Sequence, residues 1–143
     1  QMCIRDSFYG SIHSRKPFYT AVMVSIAGFM SSPFFSVYGA SKAALKIFIE
    51  SVNVELKKSG TDNRILNVSP GRINGTNFYN GANNLSLLYP LADEIIYHMN
   101  NRNDLFIPEY EEVFKKVLER YHRDFRAEGE HSYEYKQEQL KRK

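Results

Sequence analysis

Two short apolar runs flank a long amphipathic segment in the first half of the chain. Residues 21–24 are all apolar, and residues 64–69 contain Ile65, Leu66 and Val68. The first run is followed closely by Gly28 and the second by Pro70-Gly71. Short apolar runs bounded in this way predict strands that are buried on both faces. Between them lies a predicted helix over 38–56, whose apolar residues recur at spacings of three and four: Leu45, Phe48, Ile49, Val52 and Leu56.

The order of strand, helix and strand predicts a βαβ unit with parallel strands. A helix over 91–99, a short strand over 105–107 and a helix that starts at Pro108 come next. These elements predict an α/β fold class, as part of a doubly wound parallel sheet with a carboxyl-terminal amphipathic helix. The apolar positions of that last helix are Tyr110, Val113, Phe114, Val117, Leu118, Tyr121 and Phe125.

Composition and charge are those of an ordinary globular protein, with 43% hydrophobic residues, 24% charged residues and a net charge of +3. No apolar stretch is long enough to span a bilayer, and the polar face of the last helix has both signs of charge. The basic end at 141–143 is too short to predict nucleic-acid binding. We therefore expect a cytoplasmic protein with no nucleic-acid, membrane or metal site.

The two ends of the chain differ from its middle. The chain opens with Gln1, and Met2-Cys3-Ile4-Arg5-Asp6-Ser7 looks like the translation of a sequencing adapter, so residues 1–7 are predicted to be non-native. The single cysteine lies there, which leaves no disulfide to predict. We predict part of one domain over residues 8–126 and a polar, charged tail over 127–143.

Tyr38 and Lys42 are the candidate reactive pair. A spacing of four places both side chains on one helix face, and among the ten tyrosines only Tyr38 has a lysine four positions later. A free phenol ionises near pH 10, about three units above neutrality, and a neighbouring cation favours the phenolate. Ser25, at the carboxyl end of the first strand, would supply a hydroxyl to the oxygen that gains or loses the proton.

Three motifs in order give the chain a family resemblance: Ser25, then Tyr-Gly-Ala-Ser-Lys at 38–42, then the run 64–71 that ends in Pro-Gly. Over residues 21–107 the chain resembles the short-chain dehydrogenase/reductase (SDR) family. The resemblance implies the carboxyl-terminal half of a Rossmann domain and reversible hydride transfer between NAD or NADP and an alcohol or carbonyl. It implies that Tyr38 is the catalytic acid/base, that Ser25 orients the substrate, and that Lys42 assists the phenol.

The same resemblance implies a set of residues at the cofactor: Tyr38, Lys42, Pro70, Gly71, Ile73 and Thr76. The family commonly has threonine five residues after the proline, where this chain has Gly75, so Thr76 would be displaced by one position. No glycine-rich phosphate-binding motif follows a strand near the amino end. We therefore expect this chain alone to be inactive. The choice between NAD and NADP stays open, because it depends on an acidic or basic residue after the second strand of the full domain, which would lie upstream.

Two other functions remain open at this stage. Proteins with the same fold, tyrosine and lysine carry out epimerisation or dehydration of nucleotide sugars, although the short region after Gly71 disfavours a sugar-nucleotide domain. A non-catalytic cofactor-sensing or scaffold protein is the second alternative, since fold alone does not fix function.

Apolar residues outside the predicted core suggest partners. Met30, Pro33, Phe34 and Phe35 lie between Ser25 and Tyr38 and suggest an apolar alcohol or carbonyl substrate. Ile47 and Val54 lie off the buried stripe of the long helix. Members of the SDR family commonly pair through this helix, so the resemblance implies a homodimer or homotetramer.

Overall fold

The computed structural model describes residues 8–77 and 83–141, with the side chains of residues 139 and 140 left aside. The predicted non-native segment 1–7 lies outside the described residues. Within these ranges three parallel strands form one sheet in the order β1-β2-β3, with β1 at Tyr19–Met23, β2 at Arg64–Val68 and β3 at Leu105–Phe106. This arrangement confirms the α/β class and the partial Rossmann-like sheet.

Two helices connect the strands. Helix α1 runs over Ser36–Lys58 and joins β1 to β2, and helix α2 runs over Tyr89–Asn100 and precedes β3. Both extend a few residues beyond the predicted ranges, because local periodicity marks the buried stripe of a helix better than its ends. The predicted βαβ unit is therefore present, with β1 and β2 in parallel register from Tyr19 opposite Arg64.

The main core lies between α1 and one face of the sheet. Ile49, Val52 and Leu56 of α1 pack with Ile65 of β2 and with Val24, the residue that follows β1 by one position. Since side chains alternate along a strand, Leu66 and Val68 of β2 point to the opposite face, and both are fully buried.

Helix α2 covers that opposite face. The imidazole of His98 stacks on Phe106 with 4.2 Å between ring centroids, and Phe106 is paired in register with Val68. Each new strand is added on the same side of the previous one, in the order β1-β2-β3. The helix of the β1–β2 crossover, α1, and the helix of the β2–β3 crossover, α2, lie on opposite faces of the sheet, so the two crossovers have opposite hands. One of them departs from the usual right-handed rule.

Buried asparagines join the helices and loops to the sheet. The side chain of Asn53 on α1 accepts a hydrogen bond from the Ile65 backbone N–H and donates to the Ile65 carbonyl and to Asp104. Asn63 accepts from the Phe18 N–H and donates to the carbonyls of Ile12, Ser14 and Lys16. These bonds satisfy backbone groups that neither helix nor sheet pairs.

The carboxyl-terminal region differs from the prediction of one helix followed by a tail. A π-helical turn at Tyr110–Phe114 leads into α3 at Lys115–Arg123, and a separate helix α4 spans Phe125–Lys141. The break falls at Asp124, whose backbone is extended and whose carboxylate accepts hydrogen bonds from the N–H groups of Arg126 and Ala127. Aspartate in this role is an N-cap, which is why α4 starts here.

We predict that Leu56→Ala destabilises the fold far more than the matched substitution Leu85→Ala. Leu56 is 0% exposed in the core, whereas Leu85 is 66% exposed. Truncation of a buried leucine costs about 2–5 kcal/mol because it leaves a cavity, while an exposed substitution costs roughly 0.5 kcal/mol. Chemical denaturation of the three proteins would measure the difference. Equal losses in both variants would contradict the position of this core.

Candidate active site

Ser25 lies in a turn that is fixed to the ends of both β1 and β2. The side chain is buried, and its Oγ accepts a hydrogen bond of 3.2 Å from the Ala27 N–H at the start of the 3₁₀ turn Ile26–Gly28. The Ile26 N–H donates to the Pro70 carbonyl at 3.0 Å. The loop after β1 is therefore held against the loop after β2, at the edge where parallel sheets bind ligands.

Two glycines let this turn lie against helix α1. A Cβ at Gly28 would lie 2.9 Å from the carbonyl carbon of Lys42 and 3.0 Å from the backbone nitrogen of Ala43. A Cβ at Gly39 would lie 3.1 Å from the carbonyl oxygen of Ala27. Only glycine permits backbones to approach this closely, and the contact brings Ser25 to the first turns of α1, where Tyr38 and Lys42 lie.

Tyr38 and Lys42 occupy one side of α1, as their spacing predicts. The Nζ of Lys42 lies 5.6 Å from the centroid of the Tyr38 ring and donates a 3.0 Å hydrogen bond to the carbonyl of Met23 at the end of β1. The ammonium is thus tied to the sheet and beside the phenol ring. Tyr38 as a whole is 37% exposed.

The predicted cofactor segment follows β2. Pro70 is buried and bonded to Ile26, while the ring of Phe114 from the π-helical turn packs on Gly71 so closely that a Cβ there would overlap it. Further on, the Thr76 hydroxyl donates to the Ile73 carbonyl at 3.0 Å.

The substitution of glycine for the family's threonine has a structural reason. Gly75 has a φ of +83°, in the left-handed region, and a Cβ there would lie 2.6 Å from the Asn84 carbonyl oxygen. Threonine is β-branched and would be strained at this position, and in this chain the threonine follows at Thr76.

A groove of about 510 Å³ lies beside the connection from Ser25 to Tyr38. Met30 and Pro33 line it together with Gly39, Ala43 and Tyr121, whereas Ser25, Tyr38 and Lys42 are not among its lining residues. Phe34 turns away and stacks on Tyr133 at 4.6 Å. The apolar residues of this connection therefore form a surface next to the reactive pair and do not enclose it.

The comparisons with known proteins agree with the motif order. A family model described as short chain dehydrogenase matches residues 21–84, which contain Ser25, Tyr38, Lys42 and Pro70-Gly71. This segment belongs to the short-chain dehydrogenase family. No curated protein and no solved structure matches the chain. Within residues 8–77 and 83–141, no helix is long and apolar enough to cross a membrane.

The contacts that assemble the candidate site include residues that sequence reasoning did not single out. Gly28 and Gly39 set the distance between turn and helix, and Phe114 covers Gly71. The close approach at Gly39 could have been predicted, because Gly39, Ala40 and Ala43 give the start of α1 a group of very small side chains. Phe114 had no such signal, because it looked like one more position of an apolar helical stripe.

We predict that Gly28→Ala destabilises the fold, whereas Gly10→Ala does not. The new methyl group at residue 28 would meet the backbone of α1, which moves less easily than a side chain, and such overpacking costs about 1–3 kcal/mol. A Cβ at Gly10 has no atom within 4 Å. Thermal unfolding of the two variants and the parent would show the difference. An unchanged melting temperature for Gly28→Ala would contradict the close contact.

Proposed function

We propose that this protein is an NAD(P)-dependent oxidoreductase that interconverts an alcohol and a carbonyl, with Tyr38 as the acid/base. The supporting observation is the placement of Tyr38 and Lys42 on α1 directly against the turn that contains Ser25. The Lys42 ammonium is bonded to the Met23 carbonyl at the end of β1 and lies beside the Tyr38 ring, which supports a common site with Ser25 in the turn that follows that strand. The short-chain dehydrogenase match over residues 21–84 supports the same reaction class.

The chemistry of these side chains suits the sugar part of a nicotinamide cofactor. An ammonium has three N–H donors, and Lys42 directs one to the Met23 carbonyl, so others can reach ribose hydroxyls. The Tyr38 ring lies beside this ammonium, so its phenol would reach the same region. The Phe114 ring covers the side of Gly71 on which a Cβ would lie. The cofactor would therefore contact Gly71 from its other side, together with Pro70, Ile73 and Thr76. NAD(P), when bound, supplies or accepts the hydride.

Each residue then has a distinct task. Ser25 Oγ already accepts a bond from the Ala27 N–H, so its own hydroxyl proton is free to be donated to the substrate oxygen. Tyr38 takes the hydroxyl proton of an alcohol, or returns it to a carbonyl oxygen in the reverse direction. Lys42 places a positive charge where negative charge develops on the phenol oxygen during that transfer.

We expect Tyr38→Phe to lower kcat by roughly 10²- to 10⁴-fold or more, because it removes the proton donor and acceptor and keeps the ring. The protein expressed from the complete open reading frame would be assayed with NAD and NADP on aliphatic and alicyclic secondary alcohols. Tyr97→Phe, which removes an exposed hydroxyl from α2, should leave the rate unchanged. Turnover that survives Tyr38→Phe would refute the role of Tyr38.

We further propose that the protein self-associates through α1. Ile47 and Val54 are 60% and 62% exposed and lie seven positions apart on one side of this helix, away from the buried stripe. Apolar residues spread along a long helix form a surface that two copies can bury by packing face to face around a two-fold axis. A homodimer would cover this face, and a homotetramer would need a second one.

We predict that Ile47→Glu weakens self-association by tenfold or more, since roughly this loss follows from a charge at the centre of an apolar interface. Sedimentation velocity over a concentration series would measure it. Ala92→Glu places the same charge on an exposed position of α2 and should leave the association unchanged. A monomeric parent protein, or an Ile47→Glu protein that associates normally, would refute pairing through this face.

A further inference from the structure

The connection between Ser25 and Tyr38 has a backbone that is unfavourable on its own. Phe34 has a φ of +67°, in the left-handed region that a bulky residue seldom adopts. It lies in the Ser32–Phe35 turn, which is closed by a 3.0 Å hydrogen bond from the Phe35 N–H to the Ser32 carbonyl. Strained conformations persist only where surrounding contacts hold them.

Helix α4 provides those contacts. The Nζ of Lys136 donates to Ser32 Oγ at 2.8 Å and to the Pro33 carbonyl at 3.3 Å. The ring of Tyr133, one helical turn earlier, stacks on Phe34 with 4.6 Å between centroids. Two side chains of α4 therefore hold three consecutive residues of the turn.

The lysine is held there at some electrostatic cost. Burial lowers the pKa of Lys136, and its Nζ lies 5.5 Å from the ring centroid of Phe35. A partly desolvated ammonium needs hydrogen-bond acceptors, and the turn supplies two of them. A shift of the loop would remove these two acceptors from the ammonium, so the interaction favours the turn geometry seen here.

The turn is also the start of α1. The Phe35 carbonyl accepts a 2.8 Å hydrogen bond from the Gly39 N–H, and Phe35 is the N-cap residue without a side-chain capping bond. The first turn of α1, which contains Tyr38, thus depends on a loop that is fixed from outside. Ordinary N-caps fix this position through their own side chain.

Helix α4 is itself fixed to the rest of the molecule. Glu128 of α4 is buried and forms a two-bond ion pair with Arg120 of α3, at 2.6 and 3.1 Å. Leu118 of α3 packs with Ile26, the residue after Ser25, and with Ile107 after β3. The path from the sheet to Lys136 is therefore a continuous series of packed or hydrogen-bonded groups.

We propose that Lys136 is a positioning residue, which holds the Ser32–Phe35 turn and thereby the first turn of α1 with Tyr38 beside Lys42. Its effect on turnover rests on the proposed function, whereas its effect on the turn does not. The segment that belongs to the short-chain dehydrogenase family would then depend on a helix that lies outside the matched residues 21–84.

Hydrogen exchange tests the turn directly in the chain described above. Lys136→Met keeps the length of the side chain and removes its donors, so the amides of Phe35 and Gly39 should exchange on the order of fivefold faster. The amides of β2 should not change. Lys141→Met makes the same substitution at an exposed site of α4 and should have no effect. Unchanged exchange at Phe35 and Gly39 in Lys136→Met would overturn the proposal.

Ser32→Ala supports the test if Lys136→Met does not fold. It removes one acceptor of the ammonium from the loop side and leaves α4 intact, so it should raise exchange at the same two amides. If both variants fold, the double variant should show less than the product of the two single effects, because the partners share one interaction. Fully multiplicative effects would overturn the proposal.

Kinetics separate positioning from general stability. In the protein expressed from the complete open reading frame, Lys136→Met should lower kcat and leave KM for NAD(P) unchanged, and Lys136→Arg should restore part of kcat. A loss of thermal stability with kcat unchanged would overturn the positioning role. If Tyr38→Phe remains active, the proposed reaction fails instead, while the exchange result at Phe35 and Gly39 stands or falls on its own.

Discussion

The close contact between the turn after β1 and helix α1 is the constraint on which the candidate site depends. At Gly28 the turn meets the Lys42–Ala43 peptide at a distance that excludes any side chain. Ser25 starts this turn, and Tyr38 and Lys42 lie on the helix it touches. The Ile26 to Pro70 hydrogen bond adds the loop after β2 to the same assembly. One backbone contact and one hydrogen bond therefore bring together the three segments that contain the candidate residues.

The sequence predicted the elements whose signals are local. The stripe of α1 and the apolar run of β2 each identify a buried surface, and the spacing of Tyr38 and Lys42 identifies a shared face. Periodicity does not say which face of a sheet a helix covers, so the opposite placement of α1 and α2 was not predictable. The break at Asp124 was hidden for a related reason, since the apolar spacing continues through it to Phe125 while the capping carboxylate acts on the backbone.

Composition did not predict helix α4, whose contacts with the rest of the molecule include buried or partly buried polar groups. Residues 127–143 have the charge content of a solvated tail. Glu128 is nevertheless buried and paired with Arg120, and Lys136 donates a hydrogen bond to Ser32 in the turn before α1. Such pairs contribute through geometry, since a desolvated charge is tolerated only where its partners are in place. A count of charged residues cannot separate a side chain in water from one that is fully paired. Only the contact partner distinguishes the two cases, and the partner of Lys136, Ser32, is far from it in the sequence.

The candidate site therefore has two parts with different origins in the chain. The candidate reactive groups lie within residues 21–84, where the family match also lies. The side chains that contact the neighbouring loops, Phe114 on Gly71 and Lys136 on the Ser32–Phe35 turn, lie beyond it. Since the motif contains the candidate groups and the later helices contact the loops around them, the motif alone is an incomplete description of the site. The helices after β3 must be included in any account of its geometry.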